Sequence, residues 1–302
     1  MMKVKCIFAG VLLLLSTVVG PAFAGFSSIV SFGDSLSDNG QLTLQGEKIA
    51  WDNHGFYRYT DSGEPVWVEI LADYYGAQLY DFAYGGATTG MDNYRVDLVG
   101  TGWSGLTWQV GQSDIQDMVF GDSTTPGLAM ADTLFTVWAG GNDFLAGGDA
   151  ETAVDQLISN LDVLKGLGAQ NILVPNLPDI GKTPSFYGTL AAGAASDFTE
   201  EFNLKLAQGL QSFANHFSGT VYTMDVYGIF NGVIPESYLW SMMFWDVDGF
   251  HPSALGHETI AYAAERAQII DPIPSSVPVP SAVILMVSGL VGLTGLRRRR
   301  IA

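Results

Sequence analysis

Between residues 25 and 268, short apolar runs alternate with stretches whose apolar side chains recur every three or four positions. The runs at 29–32, 78–83, 134–138, 172–175 and 221–224 are rich in aliphatic and aromatic residues, which predicts five strands. Helical periodicity covers 66–75, 153–167, 197–217 and 253–267. In the third of these, Phe198, Phe202, Leu206, Leu210 and Phe213 make one stripe, the mark of a helix with a single buried side. Strands alternating with helices predict a three-layer α/β/α sandwich around a mainly parallel, five-stranded sheet. Glycine, proline and serine punctuate surface loops at 123–126, 147–148 and 181–184. No repeat or linker divides the middle of the chain, so 25–270 reads as one domain.

Both ends break this pattern. In residues 1–24, Lys3 and Lys5 precede an apolar run, and Ala22-Phe23-Ala24 offers a small-x-small cleavage site. That is the form of a secretory signal cut after Ala24, although an uncleaved anchor would share its apolar core. Cys6, the single cysteine, lies in this leader, so the exported chain would hold no disulfide. At the other end, Val277-Pro278-Val279-Pro280 leads into sixteen apolar or small residues (281–296) and then Arg297–Arg300. As a helix those sixteen residues reach roughly 24 Å, a marginal span for a bilayer, and the arginines would stay cytoplasmic. This arrangement resembles the PEP-CTERM sorting signals of Gram-negative bacteria, with Val279 where glutamate is common. The resemblance implies exosortase-type sorting machinery as a partner, contact with the inner membrane, and a final place in the envelope or outside the cell. A plain tail anchor remains the alternative. Residues 271–302 are accordingly set apart as linker and sorting or transmembrane segment (277–300).

Composition changes the picture only a little. Hydrophobic residues make up 48% and charged residues 15%, which excludes disorder. Outside the leader and the arginine cluster, seven basic residues face thirty-one acidic ones, a formal charge of −24. Such a surface repels nucleic acid and suits a neutral or cationic substrate; simple solubility is the other reading. No phosphate-cradling or dinucleotide fingerprint follows a strand, and His54, His216, His251 and His257 show no metal-ligand spacing, so no cofactor and no metal are expected.

The strand at 29–32 ends in Gly33-Asp34-Ser35-Leu36. Ligands collect beyond the carboxyl ends of strands in open α/β sheets, which places Ser35 where a nucleophile would stand. A serine hydroxyl needs a base. His251, in Asp248-Gly249-Phe250-His251-Pro252, is the candidate, with Asp248 three residues ahead able to reach its Nδ1–H. Asp248 could equally be a turn or cap residue before the last helix. Acyl transfer also needs donors for an oxyanion. Tyr84-Gly85-Gly86-Ala87 and Ala139-Gly140-Gly141-Asn142 follow strands and could supply them, although a glycine after a strand is more often only a turn. His54, in an aromatic-rich loop, could line a pocket or merely pack. His216 sits at a helix end and His257 on the last helix.

The order and wording of these four blocks resemble the GDSL or SGNH hydrolase superfamily. That resemblance implies the SGNH hydrolase fold, which is flavodoxin-like, and hydrolysis of lipid or other acyl esters. It makes Ser35 the nucleophile and, with Gly86 and Asn142, an oxyanion donor; Asp248 and His251 complete the triad. Gly85 is the fallback for Gly86. The family often places Phe-Trp-Asp with its aspartate three residues before the histidine, whereas Phe244-Trp245-Asp246 comes two residues earlier, so Asp246 rivals Asp248. Two other activities stay open: deacetylation of an extracellular polysaccharide, and a surface-displayed binding protein without catalysis.

Overall fold

Residues Ser28–Gly33 (β1) carry no charged side chain, and all six are buried. A strand hidden on both faces reads as a continuous apolar run, and such strands form the middle of parallel sheets. In this computed structural model of the 302-residue chain the described residues are 25–40, 43–44, 47–48, 59–60, 63–244 and 248–270; the leader with Cys6, His54, Asp246 and the C-terminal segment lie outside them. Thr43–Leu44 (β2) and Glu47–Lys48 (β3) pair as a separate antiparallel ribbon. Gln78–Asp81 (β4) and Thr133–Trp138 (β5) flank β1, and Asn171–Pro175 (β6) and Thr220–Met224 (β7) follow, all parallel.

The sheet has six strands rather than the five expected. The sixth is Gln268–Ile269 (β8), antiparallel to β7, which gives the order β4-β1-β5-β6-β7-β8. Two exposed residues are too few to leave a period in the sequence. They cover the edge that β7 would otherwise offer to another chain. The parallel core runs 2-1-3-4-5, the flavodoxin-like order, whose switch point lies between β1 and β5.

Helices Trp67–Tyr75 (α1), Val96–Val99 (α2), Leu106–Gly111 (α3), Ser113–Phe120 (α4) and Gly141–Leu145 (α5) come from the first half. Ala150–Leu167 (α6), Ala192–Ala214 (α7), Val226–Asn231 (α8), Tyr238–Met243 (α9) and Ala254–Ala264 (α10) come from the second. All six residues of β5, like those of β1, are buried, so both sheet faces are covered. Two helical groups do this, α1 with α10 and α3 with α6 and α7. The predicted stripe on α7 is buried throughout, from Phe198 to Phe213. The last helix is shorter than 253–267, because Ser253 is its cap: its Oγ accepts the Gly256 N–H at 3.1 Å.

Register delivers the two central strands to the same level: Gly33 pairs with Trp138, and both chains leave the sheet there. A β-carbon on Gly33 would lie 2.2 Å from the Trp138 carbonyl oxygen, so only glycine permits the approach. Gln109 on α3 clasps the same residue, accepting from its N–H (2.9 Å) and donating to its carbonyl (2.8 Å).

Candidate active site

Immediately after Gly33 the backbone folds into a turn, with the N–H groups of Ser37 and Asp38 both donating to the Asp34 carbonyl (3.0 Å each). Asp34 Oδ1 accepts the Leu36 N–H at 3.0 Å and closes the turn from inside. Ser35 is thereby held at the switch point, 4% exposed. From the far end of the chain, the loop between α9 and α10 is pinned by a bridge between Phe244 and Pro252 and by the Ser253 N–H on the Met243 carbonyl (3.0 Å). It lays His251 beside Ser35: Nε2 is 2.7 Å from Oγ.

Asp248 meets the other ring nitrogen. Its Oδ2 bonds Nδ1 of His251, while Oδ1 accepts the N–H groups of Phe250 (2.8 Å) and His251 (3.0 Å). A carboxylate only accepts, so Nδ1 carries the proton and Nε2 is left free to take one. The two uses weighed for Asp248, turn residue and imidazole partner, are met by one carboxylate. Burial would raise its pKa, but the hydrogen bond and charge of His251 outweigh burial and hold it below the ordinary value. Asp246 is outside the described residues.

Ser35, Gly86 and Asn142 line one cleft together with His251. Among the described residues neither the Ser35 nor the Gly86 N–H donates to a protein acceptor. By contrast the Gly85 N–H is engaged at 2.6 Å by Asp38 Oδ2. Gly86 sits at φ +81°, and an added β-carbon would lie 2.3 Å from Oδ1 of Asn93. Asn93 holds this turn from behind through Nδ2, which donates to the Gly85 carbonyl (2.7 Å). Asn142, on α5 after β5, donates through Nδ2 to the Ala87 carbonyl (3.0 Å) and, more weakly, towards Asp34 Oδ2 (3.4 Å).

Carboxyl groups stand close behind. Asp34 is pushed up to about 7, chiefly by burial, with the Leu36 N–H opposing and Asp143 and Asp38 adding to the rise. Burial also lifts Asp143 to about 6, against hydrogen bonds from the Thr89 hydroxyl (2.7 Å) and N–H (3.0 Å). Tyr59 lays its ring 4.8 Å from the His251 imidazole. Sequence reasoning missed Asp34, Asp38, Asn93, Gln109, Tyr59 and Asp143 as supports. Asp34 at least lies inside the quoted blocks, and Asp38 and Asp143 lie within two residues of them; nothing local marks the others.

The other two described histidines, His216 and His257, stand apart from the reacting groups. His216 is exposed, with Nδ1 on the Ser212 carbonyl at 2.9 Å. His257 is fully buried: Nδ1 accepts the Trp67 N–H (3.3 Å), so Nε2 donates to the Tyr59 carbonyl (3.2 Å). Two clefts meet at Ser35 and Asn142, divided by Phe250. The wider, about 190 Å³, is bordered by Tyr59, Tyr94 and His251. The narrower, about 30 Å³, is apolar, walled by Leu36, Leu177, Ile180, Phe230 and Phe244. A larger groove of about 730 Å³ runs between α6 and α7, where Lys205 pairs with Glu151 and Glu201, but it holds none of the converging groups above.

Comparison with known proteins gives four findings. The family model described as GDSL-like Lipase/Acylhydrolase matches residues 29–264. A phosphatidylcholine-sterol acyltransferase of Aeromonas hydrophila is 32% identical over 196 residues, covering 61% of this chain and 55% of that protein. An acetylesterase of Hypocrea jecorina is 28% identical over 196 residues, covering 57% and 53%. The chain thus spans about half the length of these curated relatives. Among solved structures, a member of the lipolytic protein G-D-S-L family from Veillonella parvula DSM 2008 is similar at 15% identity with a TM-score of 0.48, covering 78% of this chain and 95% of that one.

Proposed function

Because the chain belongs to the GDSL-like lipase/acylhydrolase family, we propose that it hydrolyses carboxylic esters through an acyl group carried on Ser35. The observation that carries this reading is the 2.7 Å separation of Ser35 Oγ and His251 Nε2. His251 takes the hydroxyl proton as Oγ bonds to the ester carbonyl carbon, and the imidazolium that forms is stabilised by Asp248. The carbonyl oxygen becomes an oxyanion facing the N–H groups of Ser35 and Gly86 and the Asn142 amide. The engaged N–H of Gly85 supports Gly86 over its neighbour. Collapse breaks the bond to the alcohol oxygen, which leaves with the proton from His251. A water, deprotonated by the same nitrogen, then attacks the acyl-Ser35 carbonyl, releasing the carboxylic acid and restoring the serine.

The substrate in this reading is a lipid or other acyl ester with its acyl group in the apolar cleft. The narrowness of that cleft favours a second reading, release of acetyl groups from an extracellular polysaccharide, with the sugar in the wider cleft. Hydrolysis of p-nitrophenyl esters by the wild type and its loss in Ser35→Ala test the common chemistry; undiminished turnover in that variant would remove Ser35 from it. Esters of increasing acyl length, set against acetylated xylan, separate the two substrates.

We further propose that residues 1–24 direct export, and that the C-terminal segment enters the inner membrane and is read by exosortase-type machinery on the way to the cell envelope. Mass spectrometry of the protein recovered from cells should find a chain beginning at Gly25; a chain retaining Met1 and the leader refutes cleavage.

A further inference from the structure

The rim beside the apolar cleft is itself apolar. Tyr187, Leu190, Ile234, Tyr238, Leu239 and Met242 are exposed, Leu190 fully and Tyr238 to 81%. Helix α9 shows why this is unusual: Met243 is buried on its inner side, yet Tyr238, Leu239 and Met242 point outward. A surface helix ordinarily turns a polar stripe to water. Here the outer side is apolar except for Ser241, which fits a face that leaves water.

Charge is absent in the same place. Residues 183–196 carry none, and 226–244 carry only Glu236, in a chain whose formal charge is −18. The rim is also continuous with the cleft through a run of aromatic contacts. Tyr187 meets Trp240 (5.9 Å), Trp240 meets Phe244 (6.0 Å), and Phe244 meets Phe230 (5.4 Å), the last two walling the cleft beside Ser35. The Trp240 indole is fixed by its N–H on the Lys182 carbonyl at 3.1 Å. The cleft holds only the first carbons of an acyl group, so a longer chain must leave it, and the apolar rim is the surface beside it.

We propose that this rim docks on an uncharged or zwitterionic lipid surface, from which the site draws its ester. The inference rests on the ester-hydrolase reading for its purpose, not for its geometry. An anionic surface does not fit, because so negative a protein is repelled by it. A neutral headgroup layer accepts Tyr238, Leu239 and Met242 without that penalty.

The test uses the full chain with Cys6→Ser and Leu239→Cys, the new thiol carrying a polarity-sensitive fluorophore. On adding phosphatidylcholine vesicles its emission should rise and shift to the blue, while the same label on Val163→Cys of α6 stays in water. An unmoved label at 239, or a blue shift that follows protein concentration without vesicles and so reports a second copy, overturns the proposal. So does a shift seen only with phosphatidylglycerol vesicles. In parallel, a triple change to serine at Tyr238, Leu239 and Met242 should lower hydrolysis of a vesicle-borne ester by roughly tenfold or more. Hydrolysis of soluble p-nitrophenyl acetate should persist; loss of both counts against docking. A wild type that hydrolyses neither ester would sink the ester-hydrolase reading, while the fluorophore still decides docking.

Discussion

Of the two N–H groups on the Asn142 amide, the one held by the Ala87 carbonyl at 3.0 Å orients the side chain, and the one 3.4 Å from Asp34 is the weaker and freer to turn to an oxyanion. A donor that acts on charge present only in the transition state changes turnover, not binding. Asn142→Ala is therefore expected to lower kcat by about 10²–10³ with little change in KM, measured by steady-state kinetics on p-nitrophenyl acetate. A rise in KM at unchanged kcat would make the side chain a substrate-binding group instead. At this scale the sequence was most legible where chemistry is packed into a few consecutive residues: Gly33–Leu36 marks Ser35, and Asp248 and His251 sit three apart. It pointed to Gly86 with Gly85 as the fallback, but that Asp38, 47 residues away, engages the Gly85 amide left no local trace. Gln109 was invisible for the same reason, since its partners on Gly33 lie 76 residues off.

Elements were legible in proportion to their length. The strands of the parallel core leave apolar runs and the stripe of α7 leaves a period in the residue pattern. The four- to eight-residue helices α2, α3, α4, α5, α8 and α9 and the two-residue β8 do not. In α7, Phe202 is fully buried and its ring tip lies beside the backbone of Gly140, two residues before Asn142. Phe202→Ala should cost about 3–5 kcal/mol, read as a lowered denaturation midpoint, because the helix cannot collapse into the void. A loss below about 1 kcal/mol would mean that the layer repacks freely. The loop after α9 bears on acyl choice: with Phe244→Ala the apolar cleft deepens, and the ratio of kcat/KM for p-nitrophenyl octanoate over acetate should rise. An unchanged ratio would put the acyl chain in the wider cleft.

For the molecule as a whole, the buried carboxyls set an uncommon response to pH. Asp34 at about 7 and Asp143 at about 6 bind protons more readily in the fold than at the ordinary value of 3.8, and Asp81 is raised as well, chiefly by burial. Between 3.8 and about 7 the folded chain therefore holds more protons than the unfolded one, so stability is greatest at the acid end and declines as pH rises. Asp248, held low by His251, opposes this only below 3.8. The melting temperature should climb from pH 8 to pH 5. Asp34→Asn should flatten the melting slope; an equally steep one would assign it to other groups. The bond from Ser35 Oγ to His251 Nε2 joins residues 216 positions apart. A ribosome must therefore make the whole parallel core before the imidazole can reach the hydroxyl. On the proposed chemistry the nascent polypeptide is inert until then towards the esters around it.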